Sequence, residues 1–319
     1  MPKLRSLGSA PLALAYWLGI AGAPQRENGC ARVLMFHGTP RNCARRLERA
    51  LRYLKRQFDV AALGSLVDAI DSPIAPLRRK VVLTFDDGWR NNLEVAYPIL
   101  QRLGLPATFF VCPGLIERGQ WLWNHAARQR LLRLSSLSGI SADTGGPAQV
   151  EPFIEWMKGL DLPSRNIVEE RIRAATRDFE PTADERHEFD LARWDELRRL
   201  DPRIVTIGSH TLSHPILTSL ESQDMEIEIA QSRRMLETRL RRTVDLFSYP
   251  NGAQNAAVHE CVRRHYRAAV SVEEGWVGAL CDPHLLPRVT GSWNALKLAR
   301  LLHRPMPQPL APGMRPIFA

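Results

Sequence analysis

The chain has few cysteines and no close pair of them. Cys30, Cys43, Cys112, Cys261 and Cys281 are five among 319 residues, an odd and scattered set. That pattern excludes a disulfide framework and a Cys-x-x-Cys redox or structural zinc site. Free thiols suit a reducing compartment. The apolar stretch at 11–23 is too short to span a bilayer comfortably. There is no Gly-Lys-Ser/Thr loop, no zinc finger, no RNA-binding strand signature and no internal repeat. Nucleic acid is therefore not expected as a partner, despite 43 Lys+Arg against 34 Asp+Glu and a net charge of +9. Much of that charge falls on helical patterns, with Arg45, Arg46, Arg49, Arg52 and Arg56 on one and Arg233, Arg234, Arg239, Arg241 and Arg242 on another. These read as solvated faces. The 45% hydrophobic and 24% charged fractions are those of an ordinary globular protein.

What is present is chemistry at strand ends. Val81-Val82-Leu83-Thr84-Phe85 reads as a buried strand that delivers Asp86, Asp87 and Gly88 to a sheet rim. Ile204-Val205-Thr206-Ile207-Gly208-Ser209 repeats the design and ends in His210-Thr211-Leu212-Ser213-His214. One carboxylate and two imidazoles make a catalytic zinc set that leaves a position open. Asp87, His210 and His214 are the candidate ligands, with Asp86 beside them to take a proton from water. Taken singly, Asp-Asp-Gly is common turn chemistry and a histidine pair is common on surface turns. The metalloprotease pattern fails, since Thr211 follows His210 where glutamate is required. Both pairs follow apolar strands, and a third strand and turn comes next at Leu246-Phe247-Ser248-Tyr249-Pro250-Asn251-Gly252. The conjunction predicts a metal-dependent hydrolase.

On these motifs the chain resembles the polysaccharide deacetylases of the NodB-homology type, a carbohydrate esterase family, over roughly residues 31–112 and 189–303. The resemblance implies that Asp86 is the catalytic base and that Asp87, His210 and His214 hold a divalent metal, zinc first. It also implies that the third motif lines the groove, with the Asn251 N–H offered to an oxyanion and Tyr249, Pro250 and Trp89 near the substrate. The family often carries in that motif an arginine that holds the base, and here the position is Ser248. Arg288 is the candidate replacement, against the alternative of an ordinary surface arginine at a strand start. The family also ends on a strand followed by an acid histidine. Leu301-Leu302-His303 fits poorly, because 296–303 reads as a helix. Val33-Leu34-Met35-Phe36-His37 fits better, as in an exopolysaccharide-type branch with this strand moved to the start. His37 is then the acid for the departing amine, against the alternative of a satisfied histidine at a strand end.

The expected fold is α/β, a distorted (β/α) barrel over 31–112 and 189–303 with a helical insertion at 113–188. Residues 1–30 read as an apolar helix or signal-like segment, and 304–319 as a Pro-rich tail. Within the frame, Asn42 is expected to cap a helix to Phe58, and Pro98 to sit early in a helix from Asn91 or Asn92 to Leu103 or to kink it. In the insertion 135–147 reads as a loop, and Trp121 and Trp123 as either sugar platforms or the insertion's own core, the core being favoured. The expected activity is removal of N-acetyl groups from amino sugars of a polysaccharide or lipid-linked glycan in the cell envelope. A deformylase or amidase on another small amide sugar, and an inactive carbohydrate-binding relative, are the alternatives. A carbohydrate is the expected partner, with peripheral membrane contact through the N-terminus. A cytoplasmic or inner-membrane-associated location is favoured over export.

Overall fold

The computed structural model describes residues 29–70 and 77–303, together with positions 11, 14, 15 and 18. The expected N-terminal helix lies largely outside the described residues, and the 71–76 loop and the Pro-rich tail wholly outside them. Among those described, no helix is long and apolar enough to cross a membrane.

Eight parallel strands form the frame: β1 (Arg32–Phe36), β2 (Asp59–Ala61), β3 (Lys80–Phe85), β4 (Ala107–Val111), β5 (Val205–Ser209), β6 (Leu246–Ser248), β7 (Ala268–Glu274) and β8 (Leu286–Thr290). The order β1-β8-β7-β6-β5-β4-β3 closes on itself through a β1–β3 pairing, and β2 pairs with the start of β3. The result is a seven-stranded parallel barrel wrapped by helices, the distorted (β/α) type that the alternating pattern predicts. Because every strand runs the same way, all strand C-termini meet at one rim, where such barrels carry their chemistry.

Strand alternation separates two environments. Leu34, Phe36, Leu83, Phe85, Phe109 and Val111 pack in one cluster with Leu47, Leu51 and Leu54 of the helix Ala44–Gln57. The opposite parity, Val33, Val82, Phe110, Leu246, Val270 and Leu286, forms a second cluster with Leu63, Leu66 and Val67 of the helix Leu63–Ile70. Followed toward the rim, this second face turns polar: Val82 leads to Thr84 and Asp86, Leu246 to Ser248, and Leu286 to Arg288. One strand face thus carries both the apolar floor and the polar residues above it.

Gly208 shows how tightly the wall is built. A Cβ there would overlap the Phe110 ring and stand 3.1 Å from the Leu246 carbonyl oxygen. Phe110 is fully buried and has no room to swing away. Gly208→Ala is expected to lower unfolding stability by about 1–3 kcal/mol, measured by denaturant titration.

The local expectations hold in part. Asn42 does not cap: it falls within a 3-10 turn, Arg41–Cys43, that leads directly into the helix Ala44–Gln57 with no side-chain cap. Pro98 stands at the start of the helix Tyr97–Leu103, after a π-helical turn at Asn92–Ala96 that accommodates its missing N–H. Asn255 caps the helix Ala256–His265 through its side chain, which accepts from the Val258 N–H at 2.9 Å. The predicted loop at 135–147 contains a short helix, Ser138–Thr144, ended by Gly145 at φ 74°. The elements between residues 113 and 188 are all helices, joined by short loops, with a core of their own around Leu131, Phe153, Met157 and Ile172. Trp123 belongs to that core, while the Trp121 indole N–H donates to Asp190 at 2.8 Å.

Candidate active site

Asp87, His210 and His214 meet at the rim, all buried, with their candidate ligand atoms within 4.8 Å of one another. Nε2 of His210 lies 3.6 Å from Asp87 Oδ1, and Nε2 of His214 lies 3.4 Å from the same oxygen. These gaps exceed a hydrogen bond. Ligand atoms about 2.0–2.1 Å from one cation at tetrahedral angles would stand about 3.3 Å apart, so the spacing fits a shared ion. The outer contacts fit at two of the three ligands, while the buried His214 Nδ1 has no hydrogen-bond partner among the described residues. His210 Nδ1 pairs with the Ser248 carbonyl oxygen at 2.7 Å, which turns Nε2 inward as a lone-pair donor. The Trp89 indole N–H donates to Asp87 Oδ2 at 3.0 Å and leaves Oδ1 for the cation. Burial disfavours the charged forms of these groups, yet Asp87 is held well below the usual carboxylate range by His210, His214 and His37. His214 is pulled down to about 3 by burial and by His210, so its imidazole is neutral and able to ligate.

Backbone strain gathers at the same place. Among the described residues six non-glycines have positive φ, and four of them are Asp87 (73°), Thr211 (66°), His214 (58°) and Asn251 (52°). Thr211 is the most telling, because a β-branched residue pays most for that conformation. Its turn is pinned from outside. Glu228, in the π-helical turn Ile227–Gln231, accepts from the Ser213 N–H at 2.9 Å and the Ser213 hydroxyl at 2.6 Å. The Thr211 hydroxyl in turn accepts from the His214 N–H at 3.0 Å.

Asp86 is 2% exposed and faces Arg288, itself 1% exposed. The pairing is bidentate, Nη1 to Oδ1 at 2.8 Å and Nη2 to Oδ2 at 2.7 Å. Arg288 also donates to Ser248 Oγ at 3.1 Å, Thr84 Oγ1 at 3.1 Å and the Ser271 carbonyl at 2.7 Å. Of the two readings open from sequence, the surface arginine is ruled out. Burial pushes the Asp86 carboxyl up, but Arg288 outweighs it and holds the group below the ordinary range, ionised at neutral pH. Ser248 stands where an arginine was expected. It completes the arrangement with its hydroxyl on Asp86 at 3.3 Å and its carbonyl on His210.

The remaining expected residues divide. His37 is exposed at the end of β1, close enough for its charge to bear on both aspartates, and the Asp86 N–H donates to the Phe36 carbonyl at 2.9 Å. Asn251 is exposed at the tip of the turn Pro250–Gly252. Tyr249 is a correction: its side chain is fully buried with Phe247 and Tyr266, and its hydroxyl donates to the His284 carbonyl at 2.9 Å, so it does not line a groove. Pro250 is also buried. Trp89, 3% exposed, presents its N–H to Asp87 rather than its face to a ligand. His303 is buried against the Tyr53 hydroxyl at 2.9 Å, inside the helix Ala295–His303. Sequence gave no signal for His125. It comes from the insertion, packs edge-on against Trp89 at 5.0 Å and is lowered to about 4, chiefly by burial.

With the geometry in hand, the likeness to known proteins is informative. The Polysaccharide deacetylase family profile matches residues 75–269, more than half of the chain, and the chain belongs to that family. YxkH of Bacillus subtilis, whose name assigns it provisionally to the polysaccharide deacetylases, is 19% identical over 201 residues. The match covers 63% of this chain and 47% of the relative, so the chain spans about half the length of that protein. Two solved structures share the fold. The Streptococcus pyogenes deacetylase PplD, in complex with acetate, has a TM-score of 0.58 at 17% identity, over 86% of this chain and 99% of that one. IcaB from Ammonifex degensii has a TM-score of 0.56 at 16% identity, over 86% and 98%.

Proposed function

We propose that the protein is a metal-dependent deacetylase that releases acetate from N-acetylated amino sugars of a polysaccharide or lipid-linked glycan. The observation that carries this reading is the buried, bidentate Arg288–Asp86 pair set beside the Asp87, His210 and His214 trio. It is an ionised base next to a cation-sized gap.

Asp87, His210 and His214 would hold the divalent cation, zinc by the chemistry of the donor set. Such an ion supplies positive charge that polarises a carbonyl and acidifies water. Asp86 accepts the proton of the attacking water. Arg288 and Ser248 take three of its lone-pair sites, and a carboxylate has about four, so one on Oδ1 is left for the proton. The Asn251 N–H, at the tip of its strained turn, donates to the oxygen on which negative charge develops. His37, exposed at the neighbouring strand end, delivers a proton to the sugar nitrogen as the C–N bond breaks. Acetate and a free amine leave.

The test is acetate release from N-acetylglucosamine oligomers, with formate release from a formamido-sugar followed in parallel. Acetate is expected, and His37→Gln is expected to slow its release by about 10²-fold or more with metal content unchanged. Formate alone would replace the substrate assignment with the second reading. Bound metal with neither product would leave a carbohydrate-binding relative.

A further inference from the structure

The insertion and the barrel enclose a cleft of about 510 Å³ that the chemistry above does not use. Its wall carries five arginines, Arg118, Arg130, Arg165, Arg173 and Arg186, against two carboxylates, Glu169 and Asp190. Ser213, the residue before His214, belongs to the same wall and ties the cleft to the metal-site loop. Both carboxylates are already engaged. Glu169 accepts from Arg173 at 2.7 Å and lies 3.3 Å from Arg165 Nε, while Asp190 takes the Trp121 indole N–H. Arg130 and Arg118 have only neutral partners in their hydrogen bonds, Thr176 and the Gln120 side-chain oxygen. Arg186 stands 3.7 Å from Glu180. The cleft therefore has a surplus of positive charge.

A second, independent observation points to a ligand. Arg165 is 5% exposed, and its Nε makes no hydrogen bond. Its guanidinium lies 4.7 Å from the Trp123 ring, a flat apolar support that offers no oxygen acceptor, and its Nε faces Glu169 at 3.3 Å without hydrogen-bond geometry. A buried guanidinium with an unmet donor is costly, and one carboxylate shared by two arginines does not meet the need. Burial pulls Arg165 below and pushes Glu169 above their ordinary ranges, as expected of an incompletely compensated pair. An oxyanion is the chemical complement of such a site, because guanidinium forks bind phosphate and carboxylate oxygens in pairs.

We propose that this arginine cleft binds an oxyanion carried by the substrate glycan, a phosphate or a uronate carboxylate, while an N-acetylated sugar of the same molecule occupies the metal site. The proposal rests on the deacetylase reading for the second half of that statement. The insertion then selects anionic glycans over neutral ones.

The test titrates inorganic phosphate and, separately, glucuronate into the full-length protein by calorimetry at fixed ionic strength. The parent chain, Arg165→Gln and Arg173→Gln are compared. One saturable site is expected in the parent, weakened about tenfold or more in each variant. The tighter of the two anions identifies the source of the charge. The Arg173 side chain is half exposed, so its variant stays informative if the buried Arg165 cannot be replaced without unfolding. No saturable site, or binding undiminished in Arg173→Gln because the anion sits at the metal trio, overturns the proposal. Acetate release from a neutral N-acetylglucosamine oligomer, measured on the same samples, separates the two readings. Acetate with no anion site removes the cleft alone; an Arg173-dependent anion site with no acetate from any substrate supports the cleft and removes the deacetylase.

Discussion

Asp86→Asn is expected to lower kcat for acetate release by about 10²–10⁴-fold, with one metal ion per chain retained. The amide keeps the shape of the side chain and can still accept from one Arg288 nitrogen, but it cannot take a proton from water. Metal retention is part of the prediction, because Asp86 is not within the ligand trio. Steady-state kinetics together with metal analysis check it. A variant that kept wild-type kcat would remove Asp86 from the role of base. A variant that lost its metal would make Asp86 a ligand.

Arg288→Met is expected to cost about 3–5 kcal/mol of stability, a large part of the roughly 5–15 kcal/mol that holds a typical domain together. The loss arises because Asp86 is left as a buried charge without the guanidinium that meets both of its oxygens. Removing the charge as well should restore much of the loss, so Asp86→Asn with Arg288→Met is expected to be more stable than Arg288→Met alone. Denaturant unfolding of the four proteins in this cycle gives the coupling energy directly. An effect of Asp86→Asn that is the same with and without Arg288 would mean that the pair is not coupled, contrary to its two short hydrogen bonds.

How much of this was legible in the chain follows from where the information lies. Asp86, Asp87, His210 and His214 sit directly after apolar strands, and a parallel barrel brings all strand ends to one rim, so short local patterns were enough. The role of Arg288 could be named but not decided, because it depends on a long-range pairing across the barrel with a residue 202 positions away. Tyr249 was misread for a related reason. The motif sets its place in the chain, but the turn after β6 sends its side chain into the core beside Phe247. Trp89 and Ser248 were visible as residues and not as hydrogen-bond donors to particular oxygens. His125 had no motif at all, since it reaches the site only through the way the insertion folds back. The helix Ser138–Thr144 escaped because Ser, Gly and Thr have low helical preference and only Ile140 of that helix is buried.

The most direct measurement is the metal content of the purified full-length chain by mass spectrometry, set beside Asp87→Ala, His210→Ala and His214→Ala. One divalent ion per parent chain is predicted, and each of the three substitutions is predicted to abolish or sharply weaken its retention after dialysis. A parent chain that binds no divalent ion on reconstitution, or variants that keep it as tightly as the parent, would contradict the account.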